Sequence, residues 1–593
     1  MANALTELFL NRRGYSYQYM QKIDDAQHQK LKNIEQMVSV LHGIHERHEK
    51  IVVMPDFDTD GIDAGVIGFA GLSELGFNVG LYRPDPTNGY GIKVEDIQKV
   101  LQQFPDAKYI ISCDVGITCY DAFFYAYQHG LKVLVTDHHE EMEVKKPAEY
   151  TENGQTIIGP KKLMCECKVD PCLLDETYKL RDICGAFVFW QILTEYARVY
   201  ANILTQDQIS MLCLFAGMGT IGDMEPLVHE NRDVVKKAIS MMRFIYDDDQ
   251  PAIMKSIQGS EPFKAAFRGF YYLLDALKHD KKLMHSDDLD EKYMAWTLSP
   301  MFNSIKRMGE SMDIIFGLFL ADADTQQQLA QKVLAINEQR KIKVAEYYQA
   351  VIDSKKHKQQ PYDPFIFFSK APGRIIGLLA NKIEEDTHLP TFAINEETLA
   401  GSGRSYSYFP VIDELRDTEF TVMGHQQAFG IQFKDHAQIK RFYDYLNQNV
   451  LPKAIKYNSQ VKDDCDLTLA LEEDDGRYDF LLNVEQASRF HQDMLNLRPF
   501  GAGFAVPKVR ILFNTQNVRM VTMGSEKQHL KIILPNGLQL ISWKNAKLLD
   551  TIQKQKVASF TGDFDFNFFN GQRNLQLIGN PELKKEGESK DDQ

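Results

Sequence analysis

The stretch Lys50-Ile51-Val52-Val53-Met54-Pro55-Asp56-Phe57-Asp58-Thr59-Asp60-Gly61 decides the fold. A short β-branched run gives way at once to alternating aspartates and a glycine. The same event recurs twice downstream, where Lys108-Tyr109-Ile110-Ile111-Ser112 runs into Cys113-Asp114, and Lys132-Val133-Leu134-Val135-Thr136 runs into Asp137-His138-His139. Residues 62–75, 94–104 and 118–129 between and after these runs carry helical apolar spacing, which predicts successive βα units and a parallel sheet. All strands of such a sheet point the same way, so the residues just past their ends emerge along one edge, where open α/β sheets place their ligands. Asp56, Asp58, Asp60, Asp114, Asp137, His138 and His139 are expected to converge there.

Carboxylates gathered in this way repel one another and are costly to desolvate, so the arrangement calls for divalent cations among them. Carboxylates with one or two imidazoles suit Mn²⁺ or Mg²⁺ better than zinc, which prefers thiolates and imidazoles in a closed tetrahedron. Two such ions close together are a device for phosphoester hydrolysis. Alone, Asp-x-Asp-x-Asp-Gly reads equally well as an acidic turn or an imperfect calcium loop. Three acid-tipped strands in one segment favour the metal site.

Taken in order, Asp56 to Gly61, the Asp114 loop, Asp137-His138-His139 and Gly219-Thr220-Ile221-Gly222-Asp223 resemble the motifs of the DHH phosphoesterases. Within that family the chain is most similar to the RecJ-like single-strand-specific exonucleases. The resemblance implies two Mn²⁺ (or Mg²⁺) ions held by Asp56, Asp58, Asp60, Asp114, His138 and Asp223, with Asp114 bridging them. Asp56 is a ligand or an orienting neighbour of one. His139 would stabilise charge on the reacting phosphate, and Asp137 would orient its neighbours.

Further along, the chain continues to resemble the family. The implied fold is α/β: a helical lead-in (1–47), a parallel-sheet DHH domain (48–240), a helical region with a connector helix (241–350), and an α/β DHHA1-type substrate-binding domain (351–460). A C-terminal OB-like β-barrel (461–583) and a charged, disordered tail (584–593) complete it. Residues 141–175 read as irregular. In Leu298 to Gly309, similar to a family segment facing substrate, Asn303 and Arg307 are the candidates; Arg307 offers a bidentate fork to a terminal phosphate and reads equally well as a solvated surface arginine. The polar face of the long helix over 324–350, with Asn337, Arg340 and Lys341, reads as solvent-facing.

Two glycine-rich stretches, Gly401-Ser402-Gly403-Arg404-Ser405 and Gly424-His425-Gln426-Gln427-Ala428-Phe429-Gly430, read as turns forming a phosphate cradle. In it, glycines bare backbone amides, Ser402 and Ser405 add hydroxyls, Arg404 adds charge and His425 adds a donor. Met423 stands where the family has the first glycine of Gly-Gly-His, and Ala371-Pro372 lies near where it often has a histidine. In the barrel, Trp543, Phe564, Phe566, Phe568 and Phe569 are candidates for base stacking or for core.

Composition bounds these readings. A chain of 593 residues, at roughly 100–200 residues per domain, forms several domains. Its 44% hydrophobic and 25% charged residues are ordinary for a globular protein. No apolar run approaches the roughly 20 residues that cross a bilayer. Met1-Ala2-Asn3-Ala4-Leu5-Thr6-Glu7 lacks the parts of a signal peptide, so a cytoplasmic location without membrane contact is expected. Eight cysteines are too sparse for a disulfide framework, and Cys165-Glu166-Cys167 with Cys172 and Cys184 lacks zinc-site spacing. A net charge of −15 argues against a nonspecific duplex binder, while a local basic groove for a threaded single strand is compatible with it.

The function implied by the resemblance is a 5′→3′ exonuclease on single-stranded DNA that releases 5′-mononucleotides in DNA repair or recombination. The expected protein is a monomer whose strand is supplied by a single-strand-binding protein or a helicase. Two other readings are a DHH hydrolase of short oligonucleotides or cyclic dinucleotides, and a non-catalytic DHH scaffold in a replication assembly.

Overall fold

The computed structural model describes residues 4–15, 30–141, 147–152, 155–160, 163–247, 257–387, 389–405, 409, 411–415, 418–420, 422–424, 427–462, 465–470, 480–481, 484–569 and 572–582. The chain forms two compact units, one of residues 28–461 and one of residues 1–27 with 462–593.

The larger unit begins with the acid-tipped strands. β1 (Lys50–Pro55), β2 (Val79–Leu81), β3 (Ala107–Cys113), β4 (Lys132–Thr136) and β7 (Cys167–Val169) form a sheet in the order β2-β1-β3-β4-β7. Every pairing in it is parallel. Alternation along the strands explains why these runs are apolar throughout. Ile51, Val53, Ile111 and Leu134 pack into one core, with residues of the helices Thr59–Glu74 and Gly185–Tyr200. Val52, Met54, Ile110, Val133 and Val135 pack into another, with residues of Val94–Gln103 and Tyr120–Gln128. Both faces are buried, as a parallel sheet requires.

Register carries the functional consequence. Pro55 pairs with Cys113, Cys113 with Thr136, and Thr136 with Val169. The residues that follow, Asp56, Asp114, Asp137 and Asp170, therefore leave the sheet at one level. The chain runs from β1 outward to β2 and then back across to β3, so the order reverses between β1 and β3, where such sheets open a ligand crevice.

The stretch 141–175, expected to be irregular, instead holds the hairpin strands β5 (Pro147–Glu152) and β6 (Gln155–Pro160) as well as the edge strand β7. Helices then follow to Lys356. Phe215, Phe263, Phe267, Phe302 and Phe319 join several of them in one aromatic core. The connector helix Ala323–Lys356 is capped by Asp322, whose side chain accepts from Thr325 N. Beyond it lies a second sheet of β8 (Ile366–Ser369), β9 (Thr391–Asn395), β10 (Ala400–Arg404), β11 (Val422–Gly424) and β12 (Ala428–Gln432), ordered β11-β12-β10-β9-β8.

In the smaller unit, β13 (Leu467–Ala470), β14 (Phe480–Leu481), β15 (Lys508–Asn514), β16 (Arg519–Met523), β17 (His529–Ile533), β18 (Gln539–Ser542), β19 (Val557–Phe569) and β20 (Gln572–Glu582) make an eight-stranded sheet. Its core draws on alternate residues such as Val509, Ile511 and Phe513. Leu5, Phe9 and Leu10 of the helix Ala4–Arg12 join that core, and Arg13 pairs with Asp466 at 2.7 Å. The first 47 residues are thus shared between the two units. Phe564 is buried in this core, whereas Trp543 is half exposed against His529. The side chains of Phe566, Phe568 and Phe569, and the tail 584–593, lie outside the described residues. No helix among the described residues is long and apolar enough to cross a membrane.

Candidate metal centre and phosphate subsite

The end of β1 turns directly into the helix Thr59–Glu74, and Asp58 caps it by accepting from Gly61 N at 3.2 Å. Asp60, in the first turn, is fully buried and accepts from Gly185 N at 2.6 Å and Ala186 N at 3.0 Å. Those amides open the helix Gly185–Tyr200, so two helix starts meet at one carboxylate. Asp114 takes a left-handed φ of 63°, a conformation aspartate tolerates better than most residues. Close approach explains the glycines. A methyl on Gly61 would lie 2.5 Å from the Asp56 backbone, on Gly185 2.6 Å from Asp114 Cα, and on Gly219 2.2 Å from Asp60 Oδ1.

The predicted ligands come together. Asp56, Asp58 and Asp114 bring one oxygen each within 4.8 Å of one another, as do Asp60, His138 and Asp223 with one ligand atom each, and Asp114, His138 and His139 form a third such group. Asp114 thus belongs to both sides of the cluster. His138 Nε2 lies 3.1 Å from Asp114 Oδ1 and 3.2 Å from Asp223 Oδ2. Asp114 Oδ1 and His138 Nε2 are both buried and meet only each other and neighbouring acids, without a well-aligned hydrogen bond, as ligand atoms facing a cation would be. This donor set of carboxylates and one or two imidazoles fits Mn²⁺ or Mg²⁺.

The electrostatics agree. Burial, reinforced by Asp58, pushes the Asp56 carboxyl up to about 8. Burial and Asp223 raise Asp60 to about 6, and burial with Asp60 raises Asp114 well above its ordinary range. The protein without metal therefore keeps protons where a cation would replace them.

Asp137 is of another kind. Its Oδ2 accepts from Ile117 N at 2.8 Å, while Oδ1 accepts from His138 N at 2.8 Å and stands 2.7 Å from His139 Nδ1. Burial alone would raise its pKa, but the imidazole of His139 and the amide donors prevail and hold it low. With its oxygens engaged, Asp137 is placed to orient the two histidines. The Tyr90 hydroxyl lies 3.0 Å from His139 Nε2, which gives the Gly89-Tyr90-Gly91 loop a definite place beside the site. Glu225, missed in the sequence, lies 3.4 Å from His138 Nδ1. Its position two residues after Asp223 was the available signal.

The substrate candidates divide. Arg307 is held down to about 10 by burial and by the positive charges of Arg340 and Arg404; Arg404 is likewise lowered to about 10 by burial. Three guanidinium groups thus share one poorly solvated region. Arg404 Nη1 donates to Ser402 Oγ at 2.6 Å and to Gly403 O at 2.8 Å. Arg340 donates to Asn337 at 3.0 Å, and Asn337 is buried. Asn337 and Arg340 therefore turn inward, contrary to their sequence reading, while Lys341 faces solvent as that reading expects.

The supposed glycine-rich turn 401–405 also differs, because residues 400–404 are the strand β10, paired on both sides with β9 and β12. Its amides serve the sheet, and a ligand is left with side chains. Gly403 leaves room for Phe429, whose ring would lie 2.3 Å from a methyl there. Ser405 Oγ accepts from Val411 N at 3.2 Å and donates to Phe409 O. Gly424 takes a φ of 137° beside Ala428. Asn303 Nδ2 donates to Thr59 Oγ1 at 2.8 Å, behind the acidic turn. His425 lies outside the described residues.

Comparison with known proteins agrees with this geometry at both ends of the chain. Residues 50–215 match the model of the DHH family, N-terminal domain, and residues 478–580 match that of the RecJ OB domain. The chain is 24% identical over 554 residues to the single-stranded-DNA-specific exonuclease RecJ of Bacillus subtilis, covering 90% of this chain and 61% of that protein. It is 25% identical over 580 residues to the RecJ of Salmonella typhimurium, covering 93% and 90%. The chain thus spans less than two thirds of the Bacillus relative and most of the Salmonella one. Among solved structures, RecJ from Thermus thermophilus in complex with Mn²⁺ matches with a TM-score of 0.70 and 19% identity over 98% of this chain and 76% of that chain. The same enzyme with Mg²⁺ gives 0.66, with 98% and 75% covered at 18% identity. From a region like the DHH family's N-terminal domain to one like the RecJ OB domain, the chain is similar to the RecJ exonucleases and shares their fold.

Proposed function

We propose that the protein is a metal-dependent 5′→3′ exonuclease that hydrolyses single-stranded DNA to 5′-mononucleotides, in DNA repair or recombination. The observation that carries this reading is the place of Asp114 in ligand groups on both sides of the acidic edge. Asp56, Asp58 and Asp114 would hold one Mn²⁺ or Mg²⁺ ion, and Asp60, His138 and Asp223 with Asp114 the other. Bound there, such a pair supplies an activated water and charge neutralisation at the phosphate. Asp137 fixes the ring of His139 through Nδ1, which leaves Nε2 for the reacting phosphate, with the Tyr90 hydroxyl 3.0 Å from both ring nitrogens. Arg307, Arg340 and Arg404, with Ser402, receive the strand's terminal phosphate, since guanidinium groups left poorly solvated and close together favour an anion. Gly403, Ser405 and Gly424 shape the lobe that carries Arg404, and Asn303 holds the helical segment that carries Arg307 against Thr59.

A small-substrate hydrolase is disfavoured by similarity that runs through the C-terminal OB domain. A non-catalytic scaffold is disfavoured by the presence of every acid at the sheet edge. The protein works in the cytoplasm as a monomer, on strands made available by a single-strand-binding protein or a helicase. Incubating the protein with Mn²⁺ and matched single-stranded and duplex DNA tests the reading, which expects hydrolysis of the single strand and little of the blunt duplex.

A further inference from the structure

Lys306 stands between the two charged regions. Its Nζ lies 3.6 Å from Asp58 Oδ2 and 5.0 Å from the centroid of the Phe57 ring. Only 21% of its side chain is exposed, and among the described residues Asp58 is the one carboxylate in ion-pair range. The next residue, Arg307, feels the charges of Arg340 and Arg404. Both sit on the short helix Ser304–Met308, which Gly309 closes with a left-handed φ of 74°. Consecutive helical residues point roughly 100° apart, so one turn presents an ammonium to the acidic edge and a guanidinium to the cationic region. An ammonium paired with a single partly exposed carboxylate adds little stability. A donor aimed at charge that develops during a reaction is worth far more.

On the nuclease reading above, the terminal phosphate rests on the arginines and the scissile phosphate lies at the acidic edge, so one nucleotide spans the gap past Lys306. Its 3′-oxygen is the leaving group. We infer that the Lys306 ammonium donates a hydrogen bond to this departing 3′-oxygen. In the step, an oxygen from water forms the new bond to phosphorus and the phosphorus to 3′-oxygen bond breaks. The electron pair of that bond goes to the 3′-oxygen, where Lys306 stabilises it. The proton that completes the hydroxyl comes from solvent, which also takes up the proton lost by the attacking water. The products are a 5′-mononucleotide and a strand shortened by one nucleotide with a new 5′-phosphate.

Two 5′-phosphorylated single strands test this, identical except that sulfur replaces the 3′-oxygen of the terminal linkage in one. A thiolate leaves with little help, so the need for the ammonium should vanish with it. In single-turnover cleavage with Mn²⁺, Lys306→Met is expected to slow the all-oxygen strand about 100-fold and the sulfur strand by less than about 5-fold, with strand affinity nearly unchanged. Lys306→Arg should recover part of the loss. Equal slowing of both strands, or a loss confined to affinity, would overturn the role given to Lys306 while leaving the nuclease reading in place. Failure of the unsubstituted protein to cut the all-oxygen strand would overturn both.

Discussion

His138 faces two ways: its Nδ1 lies 3.4 Å from Glu225 Oε1, and its Nε2 lies 3.1 Å from Asp114 Oδ1. A carboxylate on one ring nitrogen fixes the tautomer and leaves the other nitrogen free to bind a cation. Glu225→Ala should therefore weaken Mn²⁺ binding about 10- to 100-fold, and Glu225→Gln, which keeps an acceptor, by less. Titration followed by the electron paramagnetic resonance of free Mn²⁺ measures this without turnover. Unchanged affinity in both variants would leave Glu225 no part in holding His138.

Protons and metal should compete at the acidic edge. Asp56 at about 8, Asp60 at about 6 and Asp114 well above its usual range hold protons in the folded, metal-free protein, whereas the unfolded chain releases them near pH 4. Over the interval from about pH 4 to about 8 the unfolded state binds fewer protons, so the metal-free protein loses stability as pH rises. A cation requires the carboxylates ionised, so its affinity rises over the upper part of that window. The rise in melting temperature on adding Mn²⁺ should be larger at pH 8 than at pH 6. An equal rise at both values would mean that these carboxyls are not the ones metal displaces.

Gly219 tests how closely the helix Cys213–Gly222 must approach the site. A methyl there would lie 2.2 Å from Asp60 Oδ1 and 2.9 Å from Ala186 Cβ. Gly219→Ala should cost roughly 1–3 kcal/mol of stability, as overpacking does, and should displace Asp60 enough to reduce metal binding sharply. Denaturant unfolding with a parallel Mn²⁺ titration checks both. Intact metal binding would show that Asp60 can shift without consequence.

Arg404 should report on the end of the strand. Its replacement by Ala is expected to weaken binding of a 5′-phosphorylated strand by roughly 1.5–3 kcal/mol, the range of a charged hydrogen bond. A strand ending in a 5′-hydroxyl should lose much less. Fluorescence anisotropy on the two strands decides it, and equal losses would move Arg404 from the terminal phosphate to the lobe's own structure.

What the sequence made legible was the part encoded locally. β1, β3 and β4 each show a run of apolar residues followed at once by an acid, and a common register then puts Asp56, Asp114 and Asp137 at one level. β7 escaped because Cys167-Lys168-Val169 is three residues long and has no periodicity to read, although Asp170 ends it at the same level. The residues of β10 read as a turn because glycines signal flexibility in sequence. In the fold they answer to packing, since a methyl on Gly401 would lie 2.5 Å from the Ala393 carbonyl and one on Gly403 would strike Phe429. The inward turn of Arg340 is not legible in the sequence, because its neighbours Arg307 and Arg404 come from other parts of the chain. The helix Ala4–Arg12 gave no hint of its partners, since Arg12 meets the Asp466 carbonyl far along the sequence.

The most direct measurement of the central claim is product analysis with Mn²⁺ on one single strand labelled at its 5′ end in one reaction and at its 3′ end in another. A labelled 5′-mononucleotide should appear first from the 5′-labelled strand, while the 3′-labelled strand shortens progressively, and Asp114→Asn, which keeps the side-chain shape and the left-handed backbone, should abolish both. Release beginning at the 3′ end, internal cuts, or undiminished activity in Asp114→Asn would contradict the account.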